Sequence, residues 1–316
     1  MGSLYNLLSS RPFFVLAPMD DVTDTVFRQI IADCAPPDLF FTEFVNVDGL
    51  QSPGRENLLP KLAFSAKEQP LIAQIWGKIP ENYYKTTLEL KKMGFKGVDI
   101  NMGCPDKAVI KNGCCAALAD NRELAGEIID AVQRAAGDDF PVSVKTRLGN
   151  REIDLSWHEF LLKKKLNMLI IHGRTAKEMS KVPVHWDEVH KIRELRDHLS
   201  PATLFVGNGD ILTRQQGEAL AMKYKLDGVM IGRGVFHDPF VFAESSPWPT
   251  YTKAQKIALY RKHVELFAKI RPDAERKIAT LGKFCKIYIN DFPGAKELRE
   301  QLMSAKSIDE LLGYLA

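Results

Sequence analysis

Residues 168–175 read MLIIHGRT: four apolar residues without a polar interruption, then a histidine, a glycine and an arginine. An apolar run this short, closed by polar residues, fits a strand covered on both faces, as in a parallel sheet flanked by helices. Seven other runs have the same form: FFVLAPM (13–19), LFFTEFV (39–45), LIAQIWG (71–77), GVDINMG (97–103), PVSVKTRLG (141–149), LFVGNGD (204–210) and GVMIGRG (228–234). Between them lie stretches such as PENYYKTTLELKKMG and NRELAGEIIDAVQRAAG, whose apolar residues recur three and four apart, the period of a helix with one buried face. Eight β/α units in about 235 residues match a closed (β/α)8 barrel, which takes roughly 250. A doubly wound open sheet is the competing arrangement, but eight regular units without a GxGxxG fingerprint favour closure. The expected class is α/β: a (β/α)8 TIM barrel over residues 1–245, followed by a small C-terminal helical domain over 246–316.

The chain has 316 residues, 45% hydrophobic and 26% charged, which allows a sizeable core and excludes a disordered or fibrous class. No run approaches the roughly 18 apolar residues of a membrane span, and the start MGSLYNLLSSRPFF lacks a basic region ahead of a long apolar core. The expectation is a cytoplasmic monomer with no membrane partner. Five cysteines without the spacing of a disulfide scaffold suit a reducing compartment. The net charge of +3 is unevenly spread, since residues 253–286 hold ten Lys or Arg against three acids. That excess is a candidate polyanion footprint, and a solvated helical face accounts for it equally well at this point.

In a closed barrel the chemistry gathers at the C-terminal strand ends, where the βα loops converge. Gln74, Asn101, Cys104, Lys145, Arg147, His172, Arg174, Asn208, Asp210 and Arg233 all fall at or just after such ends. GNGD (207–210) and GRG (232–234) are the loops that commonly bind phosphate in this architecture. There Gly207, Gly209 and Gly232 would admit a close backbone approach, and Arg233 would add a charged fork. Lys145, on a strand otherwise of Val, Ser and Thr, invites an anion such as a reduced isoalloxazine. Gln74 offers a donor and an acceptor to a pyrimidine edge, with His172 beside it. With no motif for a pyrophosphate, the cofactor these groups suit is FMN.

Three cysteines fall within DINMGCPDKAVIKNGCC (99–115), but not at the CxxC spacing of a zinc site, so no metal is expected. Cys34, Cys114, Cys115 and Cys285 are read as packing residues. Cys104, between Gly103 and Pro105 at a strand end, is read as a reacting group. A thiol with an ordinary pKa near 8.5 stays mostly protonated at neutral pH, which favours a proton donor over a nucleophile.

These residues resemble the tRNA-dihydrouridine synthases, flavin enzymes that reduce particular uridines in tRNA. The likeness is carried, in order along the barrel, by LAPMDDVTD (16–24), AQIWG (73–77), DINMGCPDKAVIKNGCCAALA (99–119), VKTRLG (144–149), IHGRT (171–175), GNGDI (207–211) and IGRG (231–234). FCKIYINDFPGAKELREQL (284–302) resembles the family's C-terminal helical domain. The resemblance implies reduction of the uracil C5–C6 double bond, with NADPH as electron donor and Cys104 as catalytic acid. It implies an FMN lined by Pro18, Met19, Gln74, Lys145, His172, Asn208, Asp210, Gly232 and Arg233, with Asn101 and Arg174 near the substrate uridine and its phosphates. Arg147 joins them as a substrate contact, and Lys277, Lys283 and Lys286 of the basic tail are the expected grip on tRNA. One departure is a cysteine at 114 or 115 where the family has a small residue, read as a packing change. A free-pyrimidine oxidoreductase of the dihydroorotate dehydrogenase kind would need no basic tail. An RNA-binding module without catalysis would need neither Cys104 nor Lys145.

Overall fold

The computed structural model describes Leu8, residues 11–271 and residues 273–316. Among the described residues, nine strands run in one direction: β1 Phe13–Leu16, β2 Phe40–Phe41, β3 Val45–Asn46, β4 Leu71–Trp76, β5 Val98–Met102, β6 Val142–Arg147, β7 Met168–His172, β8 Leu204–Asn208 and β9 Gly228–Ile231. The order is β1-β9-β8-β7-β6-β5-β4-β2, with β3 also on β4. A parallel bridge between Val15 and Leu39 joins β1 to the chain entering β2 and completes the ring. The (β/α)8 barrel expected from the apolar runs is therefore the observed fold.

Seven of the eight runs give one strand each, and the run 39–45 gives two. The division falls at Thr42, whose hydroxyl takes the Gln74 N–H at 3.0 Å where a backbone carbonyl would continue the ladder, and itself donates to the Glu43 carbonyl at 2.7 Å. A side chain that replaces the backbone as acceptor interrupts the strand.

Alternate residues of each strand face inward. Phe13, Val15, Phe41, Ile72, Met168, Ile170, Val206 and Met230 fill the barrel with an apolar cluster. On β4, β5 and β6 the inward rows also carry Gln74, Asp99, Asn101, Ser143 and Lys145, so one side of the interior is polar. The outward residues pack under the helices.

Local signals set the helix ends. Asp24 caps the helix Thr25–Cys34 by accepting from the Phe27 N–H, and Pro80 begins the helix Pro80–Met93, which ends at Gly94 with φ +91°. The C-terminal helices Lys253–Ile270 and Ile278–Tyr288 pack on Thr25–Cys34, where Phe27 stacks on Phe284 at 5.4 Å between ring centroids. Their buried residues belong to the same apolar cluster as the barrel's outer face. The buried pair Arg28–Glu68, 2.6 Å apart, ties this helix to the segment before β4. Among the described residues, no helix is long and apolar enough to cross a membrane.

Candidate active site

A pocket of about 230 Å³ opens at the C-terminal strand ends, lined by Pro18, Met19, Lys145, Arg147, His172, Asn208, Asp210, Gly232 and Arg233, with Gly209 and Ser180. Eight of these are residues that the family resemblance assigns to FMN. The ninth such residue, Gln74, lies fully buried within the barrel, out of that lining.

The cations here are desolvated and crowded. Burial, with the Arg147 charge, depresses Lys145 to about 8, against the pull of Asp99 and Cys104. His172 is held well below its ordinary value by burial and by Arg147, Lys145, Arg174 and Arg233, so it is neutral. Its Nδ1 is buried and has no hydrogen-bond partner among the described residues. Asn208 donates to the Met230 carbonyl at 2.8 Å, which fixes its amide.

Cys104 is partly exposed on the turn after β5. Its backbone N–H and that of Gly103 both donate to Asn101 Oδ1, at 2.9 and 3.1 Å, so one amide oxygen pins the turn. Burial raises the thiol's pKa, opposed by the Asp106 backbone and the Arg147 charge, so the sulfur keeps its proton at neutral pH. The remaining cysteines are free thiols: Cys114, Cys115 and Cys285 are buried, and Cys34 is pushed up to about 12 by burial.

Several expected substrate groups are committed to the protein itself. Asn101 is 5% exposed and also donates to Gln74 Oε1 at 3.0 Å. Arg174 is 1% exposed; its Nε donates to the Val182 carbonyl at 2.6 Å and its two terminal nitrogens grip the Asp210 carboxylate. Arg233 shares that carboxylate at 2.7 Å. Arg147 donates from Nε to the Gly103 carbonyl at 2.8 Å and from Nη1 to the Thr175 and Met179 carbonyls at 3.1 and 2.9 Å. Gly207 departs from its expected part as well. A Cβ there would meet Leu226 at 2.7 Å and Trp186 at 2.9 Å, so its smallness serves helix packing on the barrel's outer side. Gly209 faces the pocket with φ +137°, a conformation that favours glycine.

The basic tail divides similarly. Lys256 is buried against Asn290 and the Trp248 ring, Lys262 pairs with Asp33 at 2.8 Å, and Arg271 pairs with Asp273 at 2.9 Å. Lys277 also reaches Asp273, at 3.6 Å. Lys283 and Lys286 are exposed and, with Phe236, Phe284, Ile287, Asp21 and Val22, line a second, largely apolar cavity where the helix Ile278–Tyr288 faces the barrel.

The sequence reading missed Asp99. It is fully buried, accepts from Gln74 Nε2 at 2.7 Å and from the Ser143 hydroxyl at 2.6 Å, and burial raises it to about 7 against those two bonds and the Lys145 charge. A lone acid inside an apolar run was the available signal.

A parallel barrel whose polar groups converge on one mouth defines the class: a (β/α)8 enzyme scaffold. Among solved structures, morphinone reductase in complex with tetrahydroNAD shares it, with a TM-score of 0.52 and 13% identity over 77% of this chain and 90% of that one. The dihydrouridine synthase (Dus) family matches residues 15–315. A "Probable tRNA-dihydrouridine synthase" of Staphylococcus aureus (strain COL) is 48% identical over 96% of this chain and 92% of its own. "Probable tRNA-dihydrouridine synthase 2" of Bacillus subtilis (strain 168) is 45% identical over 96% and 93%. The chain belongs to the dihydrouridine synthase family, and is an oxidoreductase.

Proposed function

We propose that this protein reduces the C5–C6 double bond of uridines in tRNA to 5,6-dihydrouridine, holding FMN in the barrel mouth, drawing electrons from NADPH and using Cys104 as proton donor. The observation that carries the reading is a thiol kept protonated on a pinned turn, next to the arginine of a cation-lined pocket. Relatives named for the same reaction support it.

The donor set fits FMN. The unpartnered His172 Nδ1 and the desolvated Lys145 are groups a bound polar anion would satisfy. Pro18, Met19 and Gly232 offer apolar and backbone surface, and Asn208, Gly209, Asp210 and Arg233 would hold the phosphate. Gln74 lies within the barrel behind them. FMN, when bound, supplies the hydride that goes to C6 of the uracil.

The chain's own residues account for the rest. Cys104 gives its Sγ proton to C5, so the ring gains one hydride and one proton, and general-acid help of this kind is worth about 10²- to 10⁴-fold. Lys145 keeps positive charge beside an electron-rich ring. Reaching this mouth requires a base to leave its stack, at a cost of a few kcal/mol that RNA contacts must offset. Lys283 and Lys286, exposed and without an ion pair among the described residues, would be the tail cations that meet phosphates. Arg147, Asn101 and Arg174 serve the substrate by holding the walls of the site.

The test is incubation of the purified chain with FMN, NADPH and an unmodified tRNA transcript, followed by mass mapping of dihydrouridine. Cys104→Ala should keep the yellow flavin absorbance while single-turnover product formation falls by about 10² or more. A colourless chain that FMN cannot reconstitute refutes the proposal, and an unchanged rate removes the role of Cys104.

A further inference from the structure

Four side chains form a continuous hydrogen-bonded chain from the barrel interior to the reactive turn, and its direction is fixed at the turn. At the upper end, the Gly103 and Cys104 N–H groups can only donate, so Asn101 presents Oδ1 to them and Nδ2 to Gln74. Gln74 therefore turns Oε1 to Asn101 and Nε2 across to Asp99, its register partner on the neighbouring strand. At the other end, Asp99 receives that Nε2 on one oxygen and lies 2.6 Å from the Ser143 hydroxyl on the other. Asp99 and Gln74 are fully buried and Asn101 nearly so, leaving water no place to substitute for a lost partner.

We infer that Asp99 is a positioning residue: through Gln74 and Asn101 it sets the amide orientations that hold the Cys104 turn in place. With an apolar side chain at 99, the Gln74 amide would lose its buried acceptor. Its rotation would then place a donor against Asn101, whose own rotation would release the two N–H groups of the turn. Asp99 need not touch substrate for this to matter. The consequence for turnover rests on the proton-donor reading of Cys104, whereas the geometry of the turn does not.

The test therefore uses the full chain without added cofactor. It reads iodoacetamide alkylation of Cys104, resolved from the other cysteines by peptide mass spectrometry. Asp99→Leu should speed that alkylation about fivefold or more, the scale of one lost hydrogen bond. Asp99→Asn keeps an acceptor in the same place and should stay within about twofold of the unsubstituted chain. Turnover should follow, with kcat for dihydrouridine formation falling in Asp99→Leu at unchanged KM for tRNA and recovering in Asp99→Asn. If Asp99→Leu does not fold, Gln74→Met breaks the same chain one link higher and should give the same alkylation change. Equal alkylation rates in the folded variant and the unsubstituted chain overturn the inference, as does an Asp99→Asn chain that labels as fast as Asp99→Leu. Absence of dihydrouridine formation in every chain, the unsubstituted one included, refutes the proposed activity and leaves the alkylation comparison intact.

Discussion

Replacing Lys283 and Lys286 together by glutamine removes the two exposed cations that the helix Ile278–Tyr288 turns toward the barrel. Neither forms an ion pair among the described residues, whereas Lys277 already faces Asp273 at 3.6 Å. A cation that neutralises a nucleic-acid phosphate releases a counterion and contributes about 0.7 to 0.9 to the slope of log K against log salt. Two such contacts predict a slope shallower by about 1.4 to 1.8 and, extrapolating from 1 M, binding weaker by about 15- to 30-fold near 0.15 M salt. The assay is fluorescence anisotropy of a labelled unmodified tRNA, titrated across roughly 50 to 300 mM KCl. Lys277→Gln is the internal comparison and should leave the slope within about 0.3 of the unsubstituted chain. A double variant with an unaltered slope would show that these lysines do not meet phosphates. A Lys277→Gln chain as shallow as the double variant would refute the division between paired and unpaired cations.

Lys145→Met should alter stability with a defined pH dependence. Lys145 titrates at about 8 in the fold against an ordinary 10.5, so the folded chain binds fewer protons across that window and stability rises with pH through it. The rise is at most about 3 kcal/mol, trimmed by water at this partly exposed residue, and denaturant unfolding of the cofactor-free chain should find it missing in Lys145→Met. Arg28→Met strands the Glu68 carboxylate, whose side chain is 0% exposed, and should cost about 3–5 kcal/mol in the same assay. Gly207→Ala forces a Cβ against Leu226 and Trp186 and should destabilise by about 1–3 kcal/mol, with flavin retention by the folded fraction unaffected. Loss of FMN affinity without loss of stability would return Gly207 to the phosphate site.

The barrel was legible because each strand is a short apolar run closed by polar residues, a pattern that needs no knowledge of distant contacts. The one mismatch, the divided run at 39–45, turns on a bond between Thr42 and Gln74, which are far apart in sequence. The pocket was legible for the same reason: strand ends in a parallel barrel face one mouth whatever the loops do. What stayed hidden was how polar groups are spent. Arg174 and Asn101 read as groups free to meet a substrate, yet Asp210 and the Cys104 turn claim them, through partners that only folding brings near. The tail's charge excess likewise could not reveal that Asp33 and Asn290 would take Lys262 and Lys256. Asp99 was passed over because an acid in mid-strand has no meaning until its neighbours across the sheet are known.

Arg147 spans two loops that leave different strands, with one nitrogen on Gly103 after β5 and another on Thr175 and Met179 after β7. A single planar, rigid head thus ties together the loops on either side of its own strand, β6, and neither can swing outward without dragging the other. That arc of the entrance is consequently closer to a fixed rim than to a hinged flap.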